Sequence, residues 1–359
     1  MAEDRHPVMD YYALADALRQ RHGVEVDLLD HAAANADTAP AVRLARKAGG
    51  ADAALAMLGW TRRRQYDAIF SNGENVGIPL ALLLGLTGGG PGHVTIGHRL
   101  SAGKKRLFFQ TLKAQNQMRT IFVYAQAQSD WATDTLGIAP EKVALIPFHA
   151  DDRFYRPLLT APDPTQICAA GLEWRDYPTL IEAVSEMPEL SVKLAAASPW
   201  SKGRNETEGR TLPPNVDARR YDYAGLRDLY AQSSFVVVPL YETDFQAGVT
   251  TLLEAMAMGK AVVATRTTGQ TDVIQDGVTG LTVAPGDVQG WRTAINCLRA
   301  DDALRERLGR AARRWVEENA TLDRWAARLA DAVYAASRPA SEASSWAQAA
   351  PRGETPAAP

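Results

Sequence analysis

Cysteine is nearly absent. Only Cys168 and Cys297 occur in 359 residues, too few for a disulfide framework, and neither is part of a CxxC pair. One falls in a predicted strand and the other in a predicted helix, so a reduced, intracellular setting is expected. No two of the six histidines stand at metal-ligand spacing, and no metal site is predicted. No Asp-x-Asp follows a predicted strand either. Long apolar runs are also missing. The longest, Ile78–Leu86, is far short of the roughly 20 residues of a membrane span. The N-terminal stretch MAEDRHPVMDYY is charged and lacks the apolar core of a signal peptide. Net charge is only −3, which argues against a general nucleic-acid binder. Gly88-Gly89-Gly90-Pro91-Gly92 is followed by no Lys-Ser/Thr, so it is a loop rather than a phosphate-binding P-loop.

What remains is a globular α/β composition, with 46% hydrophobic and 23% charged residues, in a chain long enough for two domains. The stretch Val236–Asp287 organises it. Val236–Leu240 is a β-branched apolar run and reads as a buried strand. Val249, Leu252, Leu253, Met256 and Ala257 recur at helical spacing within Gln246–Met258, and Gly259 stops the helix. Ala261–Ala264 is a second buried strand. This is a βαβ unit, and it predicts a parallel sheet.

Ligands of open parallel sheets bind beyond the carboxyl ends of the strands. Tyr241–Val249 lies there, with Ala247-Gly248 at the helix start. Free N–H groups and the positive end of the helix dipole suit an anion such as a diphosphate. Glu254 is a carboxylate in the otherwise apolar turn Leu252-Leu253-Glu254-Ala255-Met256. Burial requires that something hydrogen-bond it. Either a Lys or Arg pairs with it, or it accepts bonds from two sugar hydroxyls.

Leu253-Glu254-Ala255-Met256-Ala257-Met258-Gly259, Ala261-Val262-Val263-Ala264, Asp276-Gly277-Val278-Thr279-Gly280-Leu281 and Pro285-Gly286-Asp287 together resemble the nucleotide-binding half of retaining glycosyltransferases of family 4 (group 1). The resemblance covers most of residues 11–336 and is strongest from Tyr230 to Ala336. It implies an α/β, GT-B fold: two facing doubly wound Rossmann-like domains with an interdomain cleft. The boundaries expected are an acceptor-side domain at 1–160, its first strand in doubt, and a nucleotide-sugar domain at 161–320. A helix at 321–336 braces the first domain, and a disordered Ala/Pro/Ser-rich tail occupies 337–359.

The resemblance also implies residue roles. Glu254 binds the ribose of a nucleotide-sugar donor, with Gly248, Val249, Thr250, Asp244 and Gly171 around the donor. Arg175 stands five residues before Leu180, where relatives carry a Lys on the diphosphate, and a guanidinium forks well onto phosphate oxygens. An ion pair with Asp176 or Glu173 is the other reading of Arg175. Two departures stand out. Gln246 occupies the place of the family's first Glu, so Glu242 or Asp244 would have to supply a charge there. Leu172 replaces an expected Arg. His98, at the end of the predicted strand His93–His98, either orients a hydroxyl near the donor sugar or bonds nearby backbone. Glu74 and Asn75, in the turn after the strand Tyr66–Phe70, are candidates for acceptor hydroxyls, with ordinary turn chemistry as the other reading.

The expected activity is retaining, metal-independent transfer from a nucleotide-diphosphate sugar, UDP or GDP, to a sugar, lipid or small-molecule acceptor, with no other cofactor. An epimerase of the same fold and a nucleotide-binding pseudoenzyme are the alternatives. A basic helix from Lys104-Lys105-Arg106 to Arg119, with Leu107, Phe108, Phe109 and Leu112 on it, either packs on the sheet or touches anionic lipid. The expected place is the cytoplasm, at the inner membrane face in the second case.

Overall fold

The computed structural model describes residues 5–196, 211–270 and 272–339 and divides into two compact units. One unit comprises Tyr11–Ile146 and the chain from Ala326 on. The other comprises Pro147–Trp325 with the residues up to Asp10.

The first unit contains α1 (Asp10–His22), α2 (His31–Ala36), α3 (Pro40–Arg62), β1 (Ala68–Ser71), α4 (Glu74–Leu86), β2 (Gly92–Gly97), β3 (Thr120–Val123), α5 (Gln126–Asp130) and β4 (Val143–Leu145). Its four strands are parallel and lie in chain order. Ile69 faces His93, Val94 faces Thr120, and Ile121 faces Val143. β2 and β3 are buried along their whole length, as strands of a parallel sheet covered on both faces are. The Gly49-Gly50 break expected in α3 appears as a kink at Gly50, whose φ is 77°.

Two expectations fail in this unit. Val24–Leu29 is extended but forms no strand. A strand needs a ladder, and here the Arg19 guanidinium takes the Val26 carbonyl at 3.3 Å. Among the described residues no strand precedes Ala68. The basic helix of Lys104–Arg119 is also broken. Leu107–Thr111 is a short π-helical turn, Lys113 is left-handed with φ 52°, and Ala114–Gln117 is a separate 3-10 turn. Lys105 is drawn inward to the Arg99 carbonyl at 2.6 Å and to the Glu74 carboxylate.

The second unit holds β5 (Asp163–Ala170), α6 (Tyr177–Ser185), β6 (Ser191–Ala195), β7 (Val216–Arg219), α7 (Tyr223–Gln232), β8 (Ser233–Val238), α8 (Val249–Ala257), β9 (Val262–Thr265), β10 (Leu281–Val283), α9 (Val288–Ala300), α10 (Asp302–Asn319) and the start of α11 (Leu322–Ala336). The sheet is parallel, in the order β10-β9-β8-β5-β6-β7. The chain runs outward from β5 through β6 to β7, then returns to the other side of β5 with β8. The carboxyl ends of β5 and β8 therefore flank a topological switch point. Helix starts are set by Asp176, Asp222, Asp287 and Asp301, each accepting the backbone N–H three residues on. Cys168 is buried in β5, Cys297 is exposed on α9, and both are free. The polar loop expected at Ser198–Pro214 falls mostly outside the described residues, as does the tail from residue 340.

β10 was not anticipated, since three residues carry too little periodicity to mark a strand. The single helix expected over Leu304–Ala336 is two. Ala150 donates to the Ala320 carbonyl at 3.0 Å and accepts from Leu322 N–H at 2.9 Å. That exchange opens the helix at Ala320-Thr321, and the Thr321 hydroxyl then accepts from Arg324 N–H at 3.2 Å.

Helix α8 is the centre of the unit. Val249, Leu252, Leu253, Ala255, Met256 and Ala257 are buried, each larger side chain contributing about 1.5–3 kcal/mol. α10 crosses it closely: a methyl on Gly309 would lie 2.2 Å from the Gly259 carbonyl. Gly309→Ala is expected to destabilise the protein by ~1–3 kcal/mol through overpacking. Urea unfolding checks this, and an unchanged midpoint would show that the helices can part without cost.

Candidate functional site

The switch point is closed by one arginine. β5 ends at Ala170, and Gly171 follows at φ 98°. Arg175 folds back across it. Its Nε donates to the Ala170 carbonyl at 2.8 Å, Nη1 to the Glu173 carbonyl at 2.9 Å, and Nη2 to the Thr251 hydroxyl at 3.1 Å. Thr251 lies in the first turn of α8, so the guanidinium joins the end of β5 to the start of that helix. The side chain is not in an ion pair with Asp176, which instead caps α6 through Thr179 N–H at 3.2 Å. A methyl on Gly171 would lie 2.3 Å from Arg175 Nη2, and one on Gly248 would lie 3.2 Å from Nη1. Both positions also have positive φ, so glycine is required twice over.

Backbone pairing fixes the loop that carries Arg175. Arg175 bridges Leu240, Tyr241 N–H donates to the Trp174 carbonyl at 3.1 Å, and Asp176 N–H donates to the Pro239 carbonyl at 3.2 Å. The loops after β5 and β8 are thereby fastened together. Trp174 sits at φ 60°, a conformation costly for a bulky residue. Its exposed ring meets Phe245 edge-on at 5.8 Å. Gly248 is the N-cap of α8 and brings no side-chain cap. The leading N–H groups of the helix, through Val249 and exposed Thr250, thus keep their capacity for an anion. Burial lowers the Arg175 pKa, and Tyr177, Tyr230 and Glu254 pull it back up.

Glu254, further along α8, is 8% exposed. Its Oε2 accepts from the Tyr230 phenol at 3.0 Å, so its partner is a neutral hydroxyl rather than the Lys or Arg weighed from sequence. The Tyr155 hydroxyl is buried close enough to act on Glu254, though it makes no hydrogen bond of ordinary geometry. Burial pushes the Glu254 pKa up to about 7, against the opposing pull of Tyr230, Tyr155 and Arg175.

The loop from Tyr241 to Ala247 packs on the segment after β9. Glu242 accepts from Thr268 N–H at 2.7 Å, and Gly269 N–H donates to the Thr243 carbonyl at 2.8 Å. Gln270 donates to the Ala247 carbonyl at 2.9 Å. The amide oxygens of Gln246 and Gln270 are buried without partners. Asp244 is exposed.

His98, Glu74 and Asn75 belong to the four-stranded unit. Glu74 is buried and accepts from His98 N–H at 2.8 Å and Arg99 N–H at 3.1 Å, besides its pair with Lys105. Burial raises its pKa, but the Lys105 ammonium and these N–H groups outweigh that and hold it below the usual carboxylate range. Its carboxylate anchors the turn after β2. His98 is exposed on that turn, its ring 5.4 Å from Tyr124. Asn75 is exposed in the first turn of α4. A buried Ser71–His93–Thr95 group lies beneath, with Ser71 Oγ 2.9 Å from His93 Nε2 and 2.8 Å from Thr95 Oγ1.

Of the residues expected from sequence, the six-stranded unit gathers Arg175, Gly171, Gly248, Val249 and Thr250 around the start of α8, with Glu254 further along that helix and Gln246, Glu242 and Asp244 on the adjoining loop. Sequence reasoning missed Thr251, Tyr230 and Tyr155. No spacing in the chain links Tyr230 to Glu254, 24 residues on. Among the described residues no group of three or more His, Cys, Asp or Glu side chains could hold a metal ion. Among the described residues no helix is long and apolar enough to cross a membrane.

Residues 164–301 match the family described as Glycosyl transferases group 1. The chain is 40% identical over 88 residues to D-inositol 3-phosphate glycosyltransferase of Kribbella flavida, covering 24% of this chain and 20% of that one. It is 32% identical over 159 residues to the lipopolysaccharide core biosynthesis glycosyltransferase LpsE of Rhizobium meliloti, covering 42% and 44%. Its matches thus span less than half the length of these curated relatives. Among solved structures, Anabaena Alr3699/HepE in complex with UDP superposes with TM-score 0.68 at 17% identity, over 89% of this chain and 88% of that one. Sucrose-phosphate synthase from Thermosynechococcus elongatus superposes with TM-score 0.67 at 19% identity, over 80% and 78%. The two parallel-sheet, Rossmann-like units are the GT-B fold.

The raised Glu254 pKa carries a stability consequence. Between the ordinary value of 4.5 and about 7, the folded protein holds a proton that the unfolded chain has released, so this group's contribution to stability falls as pH rises through that window. Glu254→Gln removes the titration. Relative to wild type, the variant is expected to gain ~1–3 kcal/mol on going from pH 5 to pH 8. Thermal melts at the two pH values check this, and a pH-independent difference would mean that Glu254 is not desolvated.

Proposed function

We propose that this chain is a retaining, metal-independent glycosyltransferase that moves a sugar from a UDP or GDP donor to a sugar, lipid or small-molecule acceptor. The observation that carries the reading is a buried guanidinium, Arg175, beside an uncapped helix start at a topological switch point, with a buried carboxylate further along the same helix. The group 1 match over residues 164–301 covers that site. Sugar transfer in the names of the relatives and the UDP in the Anabaena structure agree with it.

In this reading the diphosphate lies against the first turn of α8. As the bond from the anomeric carbon to the phosphate oxygen breaks, negative charge grows on the leaving diphosphate. Arg175 and the leading N–H groups of α8 receive it. Both are already in place, so little reorganisation is required as the charge develops. Glu254 accepts hydrogen bonds from the ribose. Gln246, an amide where relatives have a carboxylate, can bond sugar hydroxyls but adds no charge. For retention, the acceptor oxygen bonds to the anomeric carbon on the face the phosphate leaves, and the acceptor proton passes to the departing phosphate oxygen. In this reading acceptor hydroxyls are met at the turn after β1 in the four-stranded unit, where Asn75 is exposed beside Glu74.

Incubation with a panel of UDP- and GDP-sugars and candidate acceptors, with EDTA present, is expected to release the nucleoside diphosphate and give a product of unchanged anomeric configuration by NMR. Arg175→Gln, which removes the positive charge, is expected to reduce turnover by about 100-fold or more. Absence of release with every donor and acceptor would sink the transferase reading. Inhibition by EDTA, or an inverted product, would sink the corresponding part of the mechanism.

A further inference from the structure

We propose that Tyr230 is a positioning residue whose phenol fixes the Glu254 carboxylate so that its remaining lone pairs are presented to the ribose hydroxyls of a nucleotide. The inference rests on the donor-site reading above.

A carboxylate has about four lone-pair positions, and a buried one is costly unless they are served. At Glu254, among the described residues, one donor of ordinary geometry does so, the Tyr230 hydroxyl on Oε2. A Lys or Arg in that place would neutralise the charge and occupy the acceptor directions. The Tyr230 phenol sets the orientation of the carboxylate while leaving acceptor capacity for a ligand, and Tyr155 and Arg175 add to the stabilisation of its charge. Tyr230 is fully buried at the end of α7, and its ring is part of the core cluster that also contains Leu252, Met256 and Tyr155. Phenylalanine would fill the same volume, so the packing does not require the hydroxyl. Among the described residues its hydrogen-bond partner is Glu254.

The surroundings keep the phenol a donor. Burial first, then the charge on Glu254, raises the Tyr230 pKa well above its ordinary value. The groups acting on Glu254 are Tyr230 on α7, Tyr155 ahead of β5 and Arg175 after it. Tyr223 and Asp151 act on Tyr155, and Cys168 on Tyr230. Tyr155 lies next to Tyr230, ring centroids 6.2 Å apart, but makes no hydrogen bond of ordinary geometry to the carboxylate. Its contribution is therefore smaller. Ribose hydroxyls would favour the ionised acid, so nucleotide binding tightens as pH rises and releases a proton. Removing the Tyr230 hydroxyl takes away one stabiliser of the ionised form and moves that titration to higher pH.

The test is calorimetric titration of full-length protein with UDP, GDP and their 2′-deoxy forms from pH 6 to pH 8, with a thermal melt of each variant. For the wild type, the better-bound nucleotide should prefer its ribo form and gain affinity with pH, the 2′-deoxy form gaining less. Tyr230→Phe should weaken ribonucleotide binding by about 10-fold at pH 7, the loss of one hydrogen bond to a charged group. It should weaken the 2′-deoxy form much less and shift the pH midpoint upward. Tyr155→Phe should change ribonucleotide affinity by less than about threefold, since no hydrogen bond of ordinary geometry is lost. Equal weakening of ribo and deoxy forms with an unmoved midpoint would make Tyr230 merely structural and overturn the proposal, as would unaltered binding. A wild-type ribo preference that does not change with pH would overturn it even if Tyr230→Phe failed to fold. Wild-type protein that binds neither nucleotide would overturn the donor-site reading and this assignment with it.

Discussion

The arrangement of the six-stranded unit depends on where the Arg175 guanidinium is held. It bonds the last carbonyl of β5, a carbonyl of its own loop and a hydroxyl in the first turn of α8. A buried cation of this kind is tolerated only when its donors are met. The two loops it joins are therefore constrained together, with backbone pairing between residues 174–176 and 239–241 completing the join. Gly171 and Gly248 are consequences of this. Each lies where a methyl group would press on the guanidinium and where φ is positive.

Glu254 shows the opposite tendency, a buried carboxylate with no cation against it among the described residues. Its desolvated carboxylate is served by one phenol and pushed to about 7. A structural acid would be given a cationic partner, as Glu74 is given Lys105 in the other unit. The two buried glutamates thus differ in kind. Glu74 is fully engaged with backbone and ammonium and acts as an anchor. Glu254 accepts one hydrogen bond of ordinary geometry among the described residues and retains acceptor capacity. The buried amide oxygens of Gln246 and Gln270 lie on the neighbouring segments, so unmet acceptors gather beside α8. Trp174, held left-handed by the pairing of its carbonyl with Tyr241, adds local strain at the same place.

Much of this was legible in the chain. The βαβ at Val236–Ala264 shows in its apolar runs because a parallel sheet is buried on both faces, and Arg175, Gly248 and Glu254 were each singled out. What failed was decided by partners distant in sequence. Val24–Leu29 has a strand's alternation but no ladder. The Lys104–Arg119 segment has a helix's composition, but Lys105 turns to a buried Glu74 and the backbone breaks at Lys113. The long C-terminal helix is interrupted because Ala150 takes two backbone bonds at Ala320 and Leu322. For Glu74 the sequence leaves acceptor contact and turn chemistry both open, and the assembled fold engages its carboxylate with the turn that carries His98.

The sequence alone determined the α/β fold class and the βαβ unit around Val236–Ala264, because periodicity and glycine placement are local properties. The tertiary structure decided which charges are engaged and which keep capacity. Arg175 lies across Gly171 onto Thr251, and Glu254 lies against Tyr230, because side chains 76 and 24 residues apart meet only once the sheet is assembled. Hydrogen-bond satisfaction and desolvation are properties of that assembled environment, and no spacing along the chain encodes them.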